Sequence, residues 1–513
     1  MVTLPEKQPE PAIPFRPIRD VLADFGTRFA DKRALYDLDQ DKAITWRVLH
    51  AEANRIANWL ARNGVTKGDK IGLLADESLE KLLIWLGIWR LGAVVCPLNV
   101  EMNEAHLIDL LKSIGPKLTI WHDALDGPKL TEGVPGAKVS FGEFLARVAS
   151  APTRPEVASV NAADDMAAIF CTSGTTARPK SVVYDHRAYW LNGLDTIDML
   201  GLDANDRTLE YRSFGWNSAQ VLSLMPWLQV GCTLHIAKRF SHSRFFEWVK
   251  KHGITFSAGV PTVVNMLLEK PLGVKADDIP TLRLMTCSTA PLSPEQWRRF
   301  EEMYGLTLLQ LYGMSEAGWI CGNRHYRRRM GTVGPPARHQ EFLIVDGQGN
   351  PCPPGVEGEV TTGGPQACMA TISPEGEWQE MRGVRIKSGD LAVMDEDGFV
   401  RVTGRTKDLI IRGGVNIAPV EIDNVLLESQ KVSEAAAVGV PDKIYGEEVV
   451  AYIVAKSGAT LTPDEIATHC AGKLPAFKMP KRIYIVDQLP RSDRGKVKRD
   501  ELRALWLKEN APA

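Results

Sequence analysis

The feature that most constrains the fold is a repeated alternation of amphipathic segments and short apolar runs over roughly the first four hundred residues. The stretch TWRVLHAEANRIANWLARNG has apolar residues at helical spacing and stops at Gly64, and KIGLL then predicts a buried strand. The pair recurs as LEKLLIWLGIWRLG with AVVCPL, and as EAHLIDLLKSIG with KLTIW. Alternating strands and helices predict parallel sheets covered by helices, so we expect an α/β fold.

A second, smaller unit is predicted where this pattern changes. After DGFVRVTGRTKDLIIRGGVNIAP the chain is expected to form helix 420–429, strands 434–440 and 448–454, helix 463–474, strand 482–486 and helix 499–508. A chain of 513 residues is also too long for one compact core. We predict an N-terminal domain at 1–404 with two α/β layers, a junction at 405–408 and a small α+β domain at 409–513.

Composition argues against several classes of partner. The net charge of −2 gives no electrostatic case for nucleic acid or an anionic membrane surface. The longest apolar stretches are too short to span a bilayer, and the N-terminus, MVTLPEKQPEPAIPFRP, has no apolar signal core. The eight cysteines form no C-x-x-C pair, which is typical of reduced thiols. We expect a cytoplasmic protein without membrane insertion, and leave open whether it forms a homodimer.

An anion-binding loop is predicted after the apolar run AAIF. The sequence TSGTTARPK offers hydroxyls, one glycine and a lysine, namely Thr172, Ser173, Gly174, Thr175, Thr176 and Lys180. Successive backbone N–H groups can form a concavity for an anion, and the lysine adds a point charge suited to phosphate. The spacing is not that of the usual phosphate loop, and such clusters are often only solvated turns. Both interpretations stay open for this motif alone.

Three further segments place polar residues beside predicted strands. In LLQLYGMSEAGWI, Glu316 is a candidate magnesium ligand, or the segment is a strand end with a capping serine. In IKSGDLAVMDEDGFVRVTGR, Asp390 could accept hydrogen bonds from a ribose diol, with Arg405 nearby, or the segment is a hairpin with a charged edge. In LPRSDRGKVKRDEL, Lys496 follows a glycine in a polar loop, where lysines are usually solubilising.

Together and in this order, the four motifs resemble those of the adenylate-forming superfamily, which includes acyl-CoA synthetases, peptide-synthetase adenylation domains and firefly luciferase. The resemblance covers about residues 20–510. It implies a large N-terminal domain of two α/β subdomains plus a small β-barrel, and a small mobile α+β C-terminal domain. It also implies a reaction with ATP and Mg²⁺, in which a carboxylate gives an acyl adenylate and pyrophosphate. A thiol, such as that of coenzyme A, then displaces AMP.

The resemblance implies a role for each motif residue. Those expected at ATP are Thr172, Ser173, Gly174, Thr175, Thr176 and Lys180 on the β- and γ-phosphates, Gln310 and Tyr312 beside the nucleotide, Ser315 near the α-phosphate, Glu316 on Mg²⁺, and Asp390 with Arg405 on the ribose. Lys496 would stabilise charge during adenylation. Lys407 would be the hinge of the mobile domain. Gly413 and Gly414 would line the pantetheine channel, and Asn416 would approach the AMP phosphate in the second step.

The sequence departs from the family pattern at several positions. Ala177 and Ser181 stand where glycines are usual, which predicts a stiffer loop, and Ile411 stands where a lysine is common. The expected acid pocket consists of Trp216, Asn217, Ala258, Gly259, Val260, Leu311, Met314 and Trp319. Two tryptophans favour a compact acid, although either could belong to the core. Asn217 could bond a polar group of the substrate or cap a turn.

The leading hypothesis is an AMP-forming acyl-CoA synthetase for a small or medium-sized carboxylic acid. The alternative is a stand-alone adenylation enzyme that loads a carrier-protein thiol, and the glycine pair favours coenzyme A over it. A luciferase-like oxygenase and a nucleotide-binding protein without catalysis are disfavoured. Nothing in the sequence demands oxygen chemistry, and Lys496, Asp390, Arg405 and Glu316 are all retained.

Overall fold

The computed structural model describes residues 13–171, 180–290, 292–491 and 496–510. Its strands, numbered in chain order, are β1 Arg33–Asp37, β2 Lys42–Thr45, β3 Lys70–Leu74, β4 Val94–Leu98, β5 Leu118–Trp121, β6 Ala137–Ser140, β7 Met166–Cys171, β8 Ser181–Asp185, β9 Arg207–Glu210, β10 Thr233–Ile236, β11 Phe256–Ser257, β12 Leu284–Cys287, β13 Thr307–Met314, β14 Gly318–Gly322, β15 Leu343–Val345, β16 Gly358–Thr362, β17 Ala370–Ile372, β18 Trp378–Glu380, β19 Ile386–Met394, β20 Val400–Arg405, β21 Ile410–Arg412, β22 Val415–Ile417, β23 Val432–Asp442, β24 Gly446–Ala455 and β25 Arg482–Ile485.

The helices alternate with these strands through most of the chain. They are α1 Ile18–Arg28, α2 Trp46–Arg62, α3 Leu79–Leu91, α4 Glu104–Ile114, α5 Gly127–Leu130, α6 Phe141–Val148, α7 His186–Leu200, α8 Asn217–Ala219, α9 Met225–Val230, α10 Phe245–His252, α11 Pro261–Glu269, α12 Pro294–Tyr304, α13 Pro419–Leu427, α14 Pro463–Cys470 and α15 Arg499–Glu509. A π-helical segment, Gln220–Leu224, joins α8 to α9.

Capping side chains and glycines account for the ends of helices α2 and α3. The Thr45 side chain accepts a hydrogen bond from the backbone N–H of Val48 at the start of α2. After that helix, Gly64 adopts a φ of 79°, which glycine reaches without the penalty of a Cβ. Ser78 caps α3 in the same way, and Gly92 ends it in the left-handed region.

Two eight-stranded sheets form the N-terminal part. One has the order β14-β13-β12-β11-β9-β10-β1-β2 and the other β18-β17-β8-β7-β4-β3-β5-β6. In the first, β1 and β9 to β13 are parallel, and β14 turns back antiparallel to β13. This confirms the α/β prediction. The carboxyl ends of β11, β12 and β13 meet at one edge, the usual position of a ligand site in such sheets.

A third, four-stranded antiparallel sheet, β15-β16-β19-β20, lies where the small barrel is predicted. Its strands are ordered as an open sheet over the part of the chain that the structure describes, so closure into a barrel stays a prediction. Beyond it, β21 to β25 form a five-stranded sheet with α13 to α15 and a core of their own that includes Ile422, Leu426 and Val449.

The proposed junction, 405–408, coincides with the end of β20 and a single 3₁₀ turn, Thr406–Asp408. Helices of the described ranges are all too short or too polar to cross a membrane.

Candidate active site

A cavity of about 2040 Å³ lies between the N-terminal part and the C-terminal α+β unit. Its wall includes the carboxyl end of β13, the β19–β20 hairpin and the chain that leads into α15. Nine residues of the predicted motifs share this wall: Lys180, Gln310, Tyr312, Ser315, Glu316, Asp390, Arg405, Lys407 and Lys496. These side chains come from four motifs that are far apart in the sequence, and the fold brings them to one place.

A buried carboxylate forms the best-defined part of the wall. Pairing of β19 with β20 sets Asp390 opposite Arg405, and the guanidinium Nε donates to Oδ1 of Asp390 over 2.6 Å. The Tyr312 hydroxyl donates to Oδ2, also over 2.6 Å. Burial and then the neighbouring carboxylate raise the pKa of Tyr312 well above its ordinary value. The carboxylate is therefore fixed beside an aromatic ring, an arrangement that suits a nucleoside.

Arg405 keeps its charge although it is partly buried. Burial alone would lower its pKa, but the Asp390 carboxylate outweighs that effect and raises it. The charge-assisted bond between them is of the short, strong kind. Asp390 is itself only 8% exposed, so its orientation is set by these two partners rather than by water.

An ion pair joins the end of the predicted anion loop to the candidate metal ligand. Lys180 Nζ lies 3.1 Å from Oε1 of Glu316. Glu316 stands in the tight turn between β13 and β14, and its backbone carbonyl accepts a hydrogen bond from the N–H of Cys368. The loop residues Thr172, Ser173, Gly174, Thr175, Thr176 and Ala177 lie outside the described residues. Their predicted phosphate contacts stay predictions.

Gln310 lies within β13, and Ser315 follows the last residue of that strand. Gln310 is buried on the cavity wall, and its backbone carbonyl accepts from the N–H and the side-chain amide of Asn323. The backbone carbonyl of Ser315 lies 3.5 Å from Nδ2 of Asn217. This contact connects the predicted nucleotide strand to the predicted acid pocket.

The predicted acid pocket forms one end of the cavity. Residues of that prediction that line it are Trp216, Asn217, Val260, Leu311, Met314 and Trp319. Trp216 is partly exposed, whereas Trp319 is buried and donates its indole N–H to Oγ1 of Thr196. Trp319 is thus both a core residue and part of the wall, which reconciles the two interpretations of that tryptophan.

Ala258 and Gly259 lie behind the wall rather than on it. A Cβ at Gly259 would come within 2.2 Å of the Thr286 carbonyl oxygen, so close packing requires glycine there. The Gly259 N–H donates to Oγ1 of Thr286. Of the predicted pocket residues in this segment, Val260 lines the cavity, while the place of Gly259 in the acid pocket stays a prediction.

Gly413, Gly414 and Asn416 lie away from the cavity. The glycines form the two-residue loop between β21 and β22, where Arg412 pairs with Val415. Both have positive φ, 58° and 83°, as a type I′ hairpin requires. The turn alone therefore accounts for the glycine pair, and a role at the pantetheine channel would need a different position of the C-terminal unit.

One residue of the wall, and one beside the predicted acid pocket, have features that sequence patterns did not reveal. Thr289 lines the cavity with a φ of 75°, a strained conformation for a β-branched residue. Arg212 is committed to Glu210, with Nη2 to Oε2 at 2.6 Å, and so does not offer a free charge to a substrate. The Arg212–Glu210 pair is local, with the two residues two positions apart, whereas the backbone angle of Thr289 has no sequence signature.

Comparison with known proteins places these motifs in one family. The family model described as AMP-binding enzyme matches residues 22–370, and that of the AMP-binding enzyme C-terminal domain matches 421–496. The chain belongs to the AMP-binding enzymes. The resemblance to the adenylate-forming superfamily is thereby confirmed.

The similarity to other AMP-binding enzymes extends over nearly the whole chain. Oxalate–CoA ligase of Arabidopsis thaliana is 30% identical, with 93% of this chain and 96% of that protein covered. A fatty acid–[acyl-carrier-protein] ligase, ScoC of Streptomyces coeruleorubidus, is 31% identical, with 92% and 94% covered. Several further relatives of 29 to 30% identity are named CoA ligases or CoA synthases.

A solved structure gives the same fold. The o-succinylbenzoate coenzyme A synthetase MenE of Bacillus subtilis, in complex with ATP and a magnesium ion, superimposes with a TM-score of 0.80 at 26% identity. It covers 95% of this chain and 99% of its own. The similarity to this solved structure therefore supports, over nearly the whole chain, an α/β fold with a smaller C-terminal domain.

Proposed function

We propose that this AMP-binding enzyme is an AMP-forming acyl-CoA synthetase for a small or medium-sized carboxylic acid. The observation that carries the proposal is one cavity whose wall combines the Asp390–Arg405 pair, the Lys180–Glu316 pair and Lys496 with a largely apolar pocket end. The first groups suit ATP, and the pocket suits an acid held next to its α-phosphate. The likeness to CoA ligases over most of the chain supports the same activity.

In the first step, the acid carboxylate attacks the α-phosphorus and pyrophosphate leaves. Asp390 accepts hydrogen bonds from the ribose hydroxyls, and Tyr312 places its ring against the base. Lys180 pairs with the departing phosphates, and Lys496 offsets the charge that develops between the carboxylate and the α-phosphate. Positioning and charge neutralisation are the main needs of such a step, because little covalent chemistry falls to the protein.

Glu316 is the residue that would hold Mg²⁺. It fits because it offers carboxylate oxygens on the cavity wall and is only 13% exposed, next to the lysine that would face the phosphates. The cation, when bound, supplies charge neutralisation on the phosphate oxygens.

In the second step, a thiolate attacks the acyl carbon and AMP leaves. Lys407 sits on the turn that joins β20 to β21, where a small change in backbone angles would swing the C-terminal unit. Such a swing would remove Lys496 and bring Gly413, Gly414 and Asn416 toward the cavity. The position of Lys496 on the cavity wall supports its proposed role in the first step.

Coenzyme A is the proposed thiol, and a carrier-protein thiol is the alternative. The relatives described above that are named CoA ligases or CoA synthases support coenzyme A, while ScoC is named an acyl-carrier-protein ligase. Both candidate thiols are carried on the same pantetheine arm.

The experiment is a measurement of AMP and pyrophosphate formation from ATP with a panel of acids, with and without coenzyme A. We expect at least one acid to give AMP and an acyl-CoA in equal amounts. Pyrophosphate exchange without coenzyme A turnover, together with loading of a carrier protein, would favour the alternative. Failure of every acid to give AMP with either thiol would refute the proposed function.

A further inference from the structure

The loop that presents Trp216 and Asn217 to the cavity is held by a buried carboxylate from the opposite sheet layer. Glu77 lies just before α3 and is 3% exposed. Its Oε1 accepts hydrogen bonds from the Ser213 hydroxyl at 2.8 Å and from the Phe214 N–H at 3.1 Å. A single carboxylate oxygen therefore fixes two consecutive residues of the loop.

The hydrogen bonds that fix this loop continue as far as the backbone of Trp216. Ser213 Oγ accepts from the Gly215 N–H, and the Ser213 carbonyl accepts from the Trp216 N–H, both over 3.1 Å. The Phe214 carbonyl is bound in turn by the side-chain amide of Gln220. The turn is thus fixed on both sides, and the position of Trp216 follows from it.

Glu77 also pairs with a buried lysine. Lys81 Nζ lies 2.6 Å from the same Oε1, and the Lys81 side chain is fully buried. Removing two charges from water costs about as much as their attraction returns, so such pairs are weak sources of stability. The second oxygen of Glu77, Oε2, has no hydrogen-bond partner within the described residues. A costly carboxylate at this position needs another explanation, and its two loop bonds provide one.

We propose that Glu77 is a positioning residue for the acid pocket. It does not line the cavity, and it acts by fixing the turn that delivers Trp216 and Asn217. This inference rests on the proposed function of that end of the cavity as the acid site. Loss of the acceptor should weaken binding of the acid and leave ATP binding intact, because the nucleotide residues belong to β13, β19 and β20.

Two double variants isolate the acceptor from the ion pair. Both E77Q/K81M and E77L/K81M lack the buried charges, and glutamine and leucine have similar size, but only glutamine keeps a carbonyl oxygen for Ser213 and Phe214. Since small misplacements at a reaction centre cost up to about a hundredfold, we expect E77L/K81M to raise the KM for the acid roughly tenfold. We expect E77Q/K81M to stay within about twofold of the natural protein, and the KM for ATP to stay within about twofold in both.

A single variant, S213A, keeps the proposal testable if the double variants fail to fold. S213A removes one donor to Glu77 and the acceptor of the Gly215 N–H, and it leaves the ion pair with Lys81 intact. We expect a rise of about threefold or more in the KM for the acid, because both lost hydrogen bonds fix the turn. Equal acid KM values for the two double variants, equal rises for acid and ATP, or an unchanged acid KM in S213A would overturn the proposal. Absence of acid-dependent AMP formation in the natural protein would instead refute the proposed function.

Discussion

Substitution of Glu316 by glutamine should have opposite effects on nucleotide binding and on turnover. In the structure Glu316 binds Lys180 over 3.1 Å, but the proposed function needs the lysine on phosphate and the carboxylate on Mg²⁺. The ion pair must therefore open when the substrate binds. E316Q removes the competitor of the phosphates for Lys180 and also removes the metal ligand. The fold should tolerate it, because the bond from Cys368 uses the backbone carbonyl of Glu316.

The size of each effect follows from the exposure of the two side chains. Lys180 is 47% exposed and Glu316 is 13% exposed, so solvent screens the pair and its strength is about 0.2–1 kcal/mol. Freed of this pair, the lysine should improve the affinity for metal-free ATP by at most about fivefold. Loss of a metal ligand removes several kcal/mol of charge stabilisation, and kcat with Mg²⁺ should fall by roughly a hundredfold or more.

The assay is ATP binding by calorimetry in the presence of a chelator, followed by AMP formation with Mg²⁺. The control is E377Q, an exposed glutamate that does not line the cavity and should leave both quantities unchanged. Weaker binding of metal-free ATP by E316Q would refute the competition between carboxylate and phosphate. Undiminished turnover with Mg²⁺ would refute the role of Glu316 as metal ligand.

Three further substitutions test other parts of the site. Lys496→Ala should cut acyl adenylate formation steeply and largely spare thioester formation from a supplied acyl adenylate, and equal loss in both assays would contradict domain alternation. Trp216→Gly should extend the length of accepted acids, and an unchanged acid profile would remove Trp216 from the pocket. Thr289→Gly should relieve backbone strain of about 1 kcal/mol and raise the urea midpoint, whereas a lower midpoint would show that the conformation is not strained.

Much of the fold could be predicted because local patterns specify local structure. The helix expected at 420–429 is observed at Pro419–Leu427, and the strand expected at 448–454 lies within Gly446–Ala455. Apolar spacing sets such elements, and capping residues and glycines set their ends. The glycine pair at 413–414 shows the limit of this reasoning, because a motif that favoured a substrate channel is first of all a hairpin turn.

The sequence by itself determined the order of elements, the residue types of the four motifs and hence the class of chemistry. Only the tertiary structure decided which side chains meet. Tyr312 and Asp390 are 78 positions apart, and their contact depends on how one sheet edge packs against another hairpin. Glu77 acts on a loop 136 positions away across two layers. Contacts of this kind arise from strand register and layer packing, which no short stretch of sequence encodes.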